Sequence, residues 1–290
     1  MFKGSMVALV TPFKDNKIDE AALRELVEFH IKNGTTALVP CGTKGESATL
    51  SYEEHDKVIE LTVKYAARRI PVIAGTGSNS TEEAIMLTKH AKKAGADASL
   101  QVSPYYNRPT QRGLYLHFKA IAEAVDVPLI LYNIASRTGV NIEPETFVKL
   151  AGIKNIIGVK EASGSLEQMS RIKKMCPKDF LLISGDDALT LPVMAIGGVG
   201  VISVVANIIP QDVAGMCAAF EKGDIKKAEE LHYKMLALTK TMFIETNPIP
   251  VNTAMGLMKM CSPSLRLPLC EMLPENREKL EKEMKGYKLI

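Results

Sequence analysis

The chain has 290 residues, of which 46% are hydrophobic and 24% are charged, so it can bury a full core as one large domain or two smaller ones. Its formal net charge of +3 is too small to indicate nucleic acid or an anionic membrane as a partner. No apolar run is long enough to cross a bilayer, and the apolar stretch near the N-terminus is too short for a signal peptide. We therefore expect a soluble protein of the cytoplasm.

Apolar runs and amphipathic segments alternate along the first two thirds of the chain. The runs predict strands at Met6–Val10, Ala37–Pro40, Pro71–Ala74, Ala98–Val102, Pro128–Tyr132, Ile156–Lys160, Phe180–Ser184 and Gly200–Val204. The segments between them predict helices, among them Glu20–Asn33, Tyr52–Ala67, Thr81–Ala94 and Gly113–Ala124. This alternation favours a parallel sheet with crossover helices, and its extent matches a (β/α)8 barrel, the TIM barrel.

A doubly wound open sheet is the main alternative to the barrel. Its glycine-rich phosphate loop should follow the first strand, but Thr11-Pro12-Phe13 stands there. After the eighth strand the pattern becomes helical, at Asp212–Glu221, Ile225–Met242, Pro250–Met260 and Glu275–Met284. We expect a catalytic α/β barrel over residues 1–224 and a C-terminal helical domain over residues 225–290 that packs on it.

Two residue types exclude some kinds of chemistry. The cysteines show no CxxC pair and no zinc-type spacing, which indicates reduced thiols and no metal site: Cys41, Cys176, Cys217, Cys261 and Cys270. The histidines all lie in predicted helices and none at a strand end, so we expect no histidine base: His30, His55, His90, His117 and His232.

The most informative residue is Lys160, which ends the apolar run Ile156–Lys160. A lysine at the carboxyl end of a buried strand lies where a barrel has its active site. Burial disfavours the ammonium form, and a neutral amine attacks a carbonyl to form an imine. The alternative is a strand-end lysine whose side chain extends into solvent.

Hydroxyls and glycines occupy the other predicted strand ends. They include Gly42-Thr43-Lys44-Gly45-Glu46, Gly75-Thr76-Gly77, Ser103-Pro104-Tyr105-Tyr106-Asn107, Tyr132-Asn133, Ser184-Gly185-Asp186-Asp187 and Ile202-Ser203. Hydroxyls relay protons, and backbone amides next to glycine can hold a carboxylate, so this set suits imine chemistry.

Competing interpretations of these strand ends are weaker. Gly75-Thr76-Gly77 lacks the third glycine of a dinucleotide-binding fingerprint. Asp186 and Asp187 could bind a metal, but a loop or helix-cap role is favoured, and Tyr105-Tyr106 could serve only packing. No lysine or arginine accompanies the last two strand ends, which disfavours a phosphorylated substrate.

These motifs together resemble the dihydrodipicolinate synthase family of pyruvate-dependent class I aldolases. The similarity spans nearly the whole chain and rests on the segments Gly42–Leu50, Pro71–Gly77, Pro104–Pro109, Leu131–Gly139, Gly158–Ala162 and Ser184–Asp187. The Ser136-Arg137-Thr138-Gly139 segment is the most specific, because sugar-acid lyases of the superfamily usually differ there.

The resemblance implies a Schiff-base-forming lyase that condenses pyruvate with L-aspartate 4-semialdehyde to 4-hydroxy-tetrahydrodipicolinate. That reaction belongs to lysine biosynthesis by the diaminopimelate route. The resemblance also implies a homotetramer built as a dimer of dimers, with neither cofactor nor metal.

By matching positions, the resemblance implies that Lys160 forms the Schiff base and Tyr132 transfers protons. Thr43 would link Tyr132 to a Tyr106 that comes from the neighbouring subunit. Arg137 would meet the carboxylate of the aldehyde. The remaining candidates, for pyruvate binding, are Lys44 and Thr43 through their amides, Ile202 through its carbonyl, and Gly185.

Two positions depart from the family pattern. Lys44 stands where the family usually has threonine, and Ala135 where it usually has proline. The Lys44 ammonium could pair with the pyruvate carboxylate or lower the pKa of Lys160, its bulk could block the site, or it could pair with Glu46. Ala135 should loosen the loop of Arg137 by an entropy effect of about 0.4–1 kcal/mol.

The resemblance also implies a possible effector site for free lysine, as in lysine-inhibited relatives. The matching positions are Ser47, Ala48, His55, Asn79, Glu83 and Tyr105, and Tyr52 stands where some sensitive relatives have histidine. Two other functions remain open: a pyruvate-dependent lyase or aldolase for a 2-oxo sugar acid, and a catalytically impaired relative that binds a 2-oxo acid or lysine because of Lys44.

Overall fold

Eight parallel strands form the centre of the computed structural model, which describes residues 2–290. They are β1 (Gly4–Ala8), β2 (Ala37–Val39), β3 (Ile73–Gly75), β4 (Ala98–Val102), β5 (Leu129–Asn133), β6 (Ile156–Glu161), β7 (Leu181–Ser184) and β8 (Gly200–Ser203). Each strand pairs with its neighbour in the chain, β1 pairs with β8, and a bridge between Leu38 and Val72 joins β2 to β3. The strands therefore close into a barrel, which confirms the predicted fold and excludes an open doubly wound sheet.

Helices cover the outside of the barrel and continue past its last strand. They are α1 (Glu20–Lys32), α2 (Tyr52–Ala66), α3 (Thr81–Ala94), α4 (Gln111–Ala124), α5 (Ala135–Thr138), α6 (Pro144–Leu150), α7 (Leu166–Met175), α8 (Thr190–Ala195), α9 (Pro210–Glu221), α10 (Ile225–Thr241), α11 (Ile249–Leu257) and α12 (Pro274–Gly286). No helix within residues 2–290 combines the length and the apolar character needed to cross a membrane.

The local differences from the predicted elements have identifiable causes. Strand β1 begins at Gly4 rather than Met6, because Gly4 pairs with Gly200 at a backbone approach so close that a Cβ on Gly200 would lie 2.1 Å from the Gly4 carbonyl oxygen. Helix α4 begins two residues before the predicted Gly113, because the Thr110 side chain caps it by accepting from the Gly113 amide. A hairpin pairing Phe13–Lys14 with Lys17–Ile18 was not predicted.

Apolar side chains form one layer inside the barrel and others between the barrel and its helices. Met6, Val39, Ile130 and Ile202 belong to the inner cluster. A second cluster unites barrel residues with the C-terminal helices, and its members include Val7, Leu26, Val213, Met235, Leu238 and Leu280. The C-terminal helices thus share buried core with the barrel. The division into units at residues 224 and 225 stays a prediction.

Candidate active site

Lys160 lies at the centre of the barrel, near the carboxyl end of β6. Its neighbours in the sheet are Tyr132 on β5 and Ile183 on β7, and only 5% of the residue is exposed. Its Nζ atom lies 4.2 Å from the centroid of the Tyr132 ring. The side chain therefore does not extend into solvent, as the alternative interpretation of the strand end required.

Burial determines the charge state of this amine. Desolvation lowers the pKa of Lys160 to about 8; the nearby Asp187 carboxylate opposes this decrease and the Arg137 guanidinium adds to it. A substantial fraction of the amine is therefore neutral near physiological pH, as imine formation requires.

Burial also shifts the pKa of Tyr132, but upward, because the charged form of a tyrosine is the anion. Its ring is buried on β5, and desolvation raises the pKa of its hydroxyl to about 12, while Arg137 and a hydrogen bond with Thr43 oppose the rise. In the free site Tyr132 is a neutral phenol next to an amine. A phenol in this position can donate a proton, and a positive charge formed on Lys160 would make it a better acceptor afterwards.

Lys44 is buried in the loop that follows β2, with 6% of the residue exposed. Its Nζ atom lies 5.7 Å from the centroid of the Phe243 ring. Burial lowers the pKa of Lys44 well below its ordinary value, and the charges of Lys160 and Arg137 lower it further, against smaller opposing effects of two aspartates, Asp187 and Asp186. Within residues 2–290 no hydrogen bond or ion pair engages this amine.

Glu46 does not pair with Lys44, so that interpretation is wrong. The backbone of Glu46 is left-handed, with φ of 50°, and its carboxylate accepts from the Asn252 side chain at 3.4 Å and from the Arg266 amide at 3.1 Å. The adjacent Gly45 is required by space, because a Cβ there would lie 2.9 Å from the Cys41 amide nitrogen. The turn therefore directs Glu46 toward the C-terminal segment.

Asp186 and Asp187 take the loop and cap roles that the sequence favoured over a metal site. Asp186 accepts from the Ala188 amide at 2.9 Å, at the start of a short 3-10 helix. The buried Asp187 carboxylate accepts from the Ser203 hydroxyl and from the Val204 amide at 2.8 Å. No group of three or more His, Cys, Asp or Glu among the described residues could hold a metal ion. The charge of Asp187 beside Lys160 was not predicted.

A cavity of about 370 Å³ opens at this end of the barrel. Thr43, Tyr132 and Arg137 line it, and one Arg137 guanidinium nitrogen donates to the Asn247 carbonyl at 3.4 Å. The C-terminal segment forms the rest of its wall, with Thr246, Asn247, Pro248, Pro268 and Leu269. Nothing in the local sequence pattern had identified these wall residues.

The other predicted pyruvate residues are Ile202, on β8, and Gly185, directly after the neighbouring strand β7. Ile202 is buried on β8 among the inner apolar side chains. Gly185 follows β7, donates its amide to the Glu161 carbonyl at 2.8 Å, and has no room for a side chain, since a Cβ would lie 2.6 Å from that of Ala162. Gly185 therefore follows a strand that pairs with β6, the strand of Lys160, and Ile202 lies one strand further round the barrel.

Tyr106 stands apart from the other candidates. Its residue is 90% exposed, does not line the cavity, and has a left-handed backbone with φ of 71°. Such a conformation costs about 1–3 kcal/mol for a residue other than glycine and persists where the surroundings impose it. In a single chain this tyrosine is therefore exposed to solvent and lies outside the cavity that Thr43 lines.

The six predicted effector positions fall into three environments. Ser47, Ala48 and Tyr105 line the cavity. The Glu83 carboxylate accepts from the Tyr52 hydroxyl at 2.5 Å and from Ser78, and Asn79 donates to the Tyr105 carbonyl at 3.2 Å. The ring of His55 is buried, and its Nε2 atom lies 2.9 Å from the Gly75 carbonyl oxygen, so only the first two groups present atoms at the surface or the cavity.

A closed parallel barrel with a buried amine beside a phenol at its centre has the architecture of a Schiff-base-forming lyase. The comparisons specify the family. The family model described as "Dihydrodipicolinate synthetase family" matches residues 1–287, and the chain belongs to that family.

Named relatives match this chain over 99–100% of its length. The chain is 59% identical over 290 residues to 4-hydroxy-tetrahydrodipicolinate synthase of Syntrophus aciditrophicus, covering 100% of both chains. The crystal structure of dihydrodipicolinate synthase from Aquifex aeolicus superposes with a TM-score of 0.98 at 54% identity, over 99% of each chain. The enzyme of Cyanidioschyzon merolae with lysine bound superposes with a TM-score of 0.97 at 42% identity, over 100% of this chain and 99% of that one.

Proposed function

We propose that the chain condenses pyruvate with L-aspartate 4-semialdehyde to 4-hydroxy-tetrahydrodipicolinate, as a step of lysine biosynthesis by the diaminopimelate route, in the cytoplasm. The observation that supports this best is the buried amine of Lys160, with a pKa near 8 and 4.2 Å from the Tyr132 ring, in a member of this family. The cytoplasmic location agrees with the absence of disulfides among the described residues, where Cys41, Cys176, Cys217, Cys261 and Cys270 are free.

The first half of the reaction needs an amine and a proton acceptor. The neutral amine of Lys160 attacks the keto carbon of pyruvate, water leaves, and an iminium forms. Its positive charge acidifies the methyl group, which loses a proton and becomes an enamine. Tyr132, whose ring centroid lies 4.2 Å from the Lys160 Nζ atom, would receive and return this proton, with Thr43 as its hydroxyl partner.

The second half needs a site for the aldehyde. The enamine carbon attacks the aldehyde carbon of aspartate semialdehyde, and the new alkoxide takes a proton. The amino group of the bound product then attacks the iminium carbon and displaces Lys160, which closes the ring. Arg137, on the cavity wall, is placed to meet the carboxylate of the aldehyde by a charge-assisted hydrogen bond.

The proposal includes an assembly, because Tyr106 does not line the cavity of its own chain. Its 90% exposure and its left-handed backbone support a role across an interface, where it would reach Thr43 of a neighbouring subunit. We propose a homotetramer built as a dimer of dimers. Analytical ultracentrifugation of the wild type and of Tyr106→Phe tests the two parts separately, since the phenylalanine variant should assemble normally but turn over slowly.

Borohydride trapping tests the imine. Incubation with pyruvate and borohydride should add a pyruvate-sized mass to Lys160, and Lys160→Arg should take up none. Product formation should require aspartate semialdehyde and should not occur with glyceraldehyde, which lacks the carboxylate that Arg137 would bind. Trapping without synthase activity, but with turnover of a sugar aldehyde, would favour a 2-oxo sugar acid aldolase, and no adduct would refute imine catalysis.

Free lysine is a candidate effector of the same enzyme. Glu83, in contact with the Tyr52 hydroxyl, offers a carboxylate for an α-amino group, and Tyr105 lines the adjoining cavity. The structure of the Cyanidioschyzon merolae relative was determined with lysine bound. Activity measured against lysine concentration tests this: inhibition that is weakened in Glu83→Gln is expected, and a flat curve up to millimolar lysine would refute it.

A further inference from the structure

A buried carboxylate lies directly behind the candidate lysine. Glu161 follows Lys160 at the end of β6, and because successive side chains of a strand alternate between its faces, Lys160 enters the barrel while Glu161 points outward toward α7. Glu161 is completely buried, and within residues 2–290 no ion pair engages its carboxylate. A buried carboxylate without a cation is costly unless hydrogen bonds satisfy its oxygens. Its hydrogen bonds must therefore compensate for the missing cation.

Three N–H groups bind the Glu161 carboxylate, and none of them is charged. The Asn133 side-chain amide donates at 2.9 Å, the Ser163 backbone amide at 2.8 Å, and the Gln168 side-chain amide at 3.4 Å. Burial raises the pKa of Glu161, and these hydrogen bonds oppose the rise. Asn133 is also the neighbour of Glu161 across the sheet, one residue after Tyr132. The carboxylate therefore joins the ends of β5 and β6.

Asn133 in turn closes the loop that contains Arg137. Its side-chain oxygen accepts from the Ile142 amide at 2.9 Å, and its side-chain nitrogen donates to the Asn141 side chain at 2.8 Å. These bonds hold the two ends of the loop together, and α5 with Arg137 lies between them. One end of an asparagine amide donates and the other accepts, so acceptors on one side determine its orientation. Glu161 is such an acceptor, and it turns the Asn133 oxygen toward Ile142.

We propose that Glu161 is a positioning residue, which acts through Asn133 to fix the loop of Arg137 against the strand of the Schiff-base lysine. The link thereby sets the distance between the amine that binds pyruvate and the guanidinium that binds the carboxylate of the aldehyde. This inference rests on the proposed function and adds to it a residue that contacts neither substrate. A displacement of about 1 Å between reacting groups can cost about 10²-fold in rate, so a small movement of this loop is enough to be measured.

A purely structural role for Glu161 is the alternative, and the two roles predict different kinetics. Loss of a structural group lowers the free energy of unfolding and the amount of active enzyme, which leaves KM values unchanged. Loss of a positioning group raises the KM for aspartate semialdehyde and leaves pyruvate trapping as it was. It also reduces the effect of removing Arg137, because a guanidinium that is already displaced contributes less.

The experiment measures three quantities on purified variants: the KM for aspartate semialdehyde, the half-saturating pyruvate concentration in borohydride trapping, and the midpoint of chemical denaturation. Glu161→Gln keeps the shape of the side chain but replaces one acceptor oxygen by a donor that faces other donors. Asn141→Ala cuts the same link from the side of the loop, without a change in β6, and it decides the question if Glu161→Gln does not fold. Each variant is also combined with Arg137→Gln.

Asn155→Ala is the matched control. Asn155 lies just before β6, at the opposite end of the same strand, and its side-chain amide donates to the carbonyls of Ala122, Val125 and Val127 at 2.9, 3.1 and 3.3 Å. Its loss also leaves polar backbone groups without a partner, so the denaturation midpoint should fall. Because this end of the strand is remote from the loop of Arg137, both substrates should bind as in the wild type.

We expect Glu161→Gln and Asn141→Ala to raise the KM for aspartate semialdehyde about 10-fold, with half-saturation by pyruvate within about twofold of the wild type. Addition of Arg137→Gln to Glu161→Gln should raise the KM only about twofold more, less than Arg137→Gln does alone. An unchanged KM in both variants, effects that multiply fully, or an equal rise in Asn155→Ala would each overturn the inference.

Loss of trapping in folded Glu161→Gln would also overturn it, because Glu161 would then act on Lys160 and not on Arg137. All four of these outcomes leave the imine mechanism intact. Absence of an adduct on Lys160 in the wild type would instead refute the proposed function, and this inference with it.

Discussion

Burial lowers the pKa of Lys160 and the charge of Asp187 opposes that decrease, so both affect the pH at which Lys160 becomes reactive, and this dependence can be measured. With a pKa of about 8, about one-tenth of the Lys160 amine is neutral at pH 7, against about one in 3,000 for an ordinary lysine. Trapping at saturating pyruvate should therefore accelerate with rising pH and reach half of its maximum near pH 8. An inflection above pH 10 would mean that the amine is not desolvated.

Asp187→Asn removes the carboxylate that favours the ammonium form of Lys160, so it should move the inflection below pH 8. At pH 7 the neutral fraction then rises from about one-tenth toward one, which limits the gain in trapping rate to about tenfold. Asparagine keeps an oxygen to accept the Val204 amide, so the local backbone can persist. The full pH profile, rather than the rate at one pH, is the measurement.

The neighbouring Asp186→Asn is the matched control. Asp186 caps the short 3-10 helix that begins at Asp187, but it does not contribute to the pKa of Lys160. The Asp186→Asn variant should therefore keep the inflection near pH 8. Equal shifts in the two variants would show that Asp187 acts through local structure and not through its charge. No shift in Asp187→Asn would show that its charge does not influence the pKa of Lys160.

Three further substitutions separate chemistry, binding and stability. Tyr132→Phe should trap pyruvate normally but lose about 10²-fold to 10⁴-fold in turnover, because the ring remains and the transferable proton is lost. Arg137→Gln should raise the KM for aspartate semialdehyde about 10-fold to 100-fold with little change in pyruvate trapping. Arg266→Met should lower the free energy of unfolding by about 2–4 kcal/mol, because Arg266 is 13% exposed in its side chain and binds both Glu54 oxygens, at 2.5 and 2.6 Å.

For each of these substitutions, one outcome would contradict the role that we expect. Loss of trapping in Tyr132→Phe would assign the tyrosine to imine formation or folding and not to later proton transfer. A KM effect of Arg137→Gln on pyruvate alone would move Arg137 to the other substrate. For Arg266, chemical denaturation should be compared with Arg277→Met, whose exposed pair with Glu281 should leave the midpoint unchanged; equal losses would contradict the argument from burial.

The elements with strong local signals were predicted closely from the sequence. Helix α3 was predicted at Thr81–Ala94 and lies there, because Ser80 caps its start and Gly95, with φ of 95°, ends it. The barrel followed from the same kind of evidence, since strand and helix periods alternate and each strand pairs with the next. The apolar run likewise predicted that Lys160 lies near the end of a buried strand.

Contacts between distant segments could not be predicted in this way. The surroundings of Lys44 depend on Phe243, and the partners of Glu46 are Asn252 and the Arg266 amide, all about two hundred residues further along the chain. The two aspartates after β7 look alike in the sequence, yet only Asp187 turns toward Ser203, because that choice depends on β8. Periodicity describes each element and does not state which side chains meet.

The cavity wall is encoded in two separate parts of the chain. The groups proposed to break and form bonds belong to the barrel strands and the loops after them, whereas the wall at Thr246, Asn247, Pro248, Pro268 and Leu269 belongs to the last fifty residues. Exchange of that terminal part between relatives would therefore change one side of the cavity wall while Lys160, Tyr132 and Arg137 are inherited together. The apolar face of α9 limits such recombination, because Val213 and Met216 pack in the core shared with α10, and an imported part must match them.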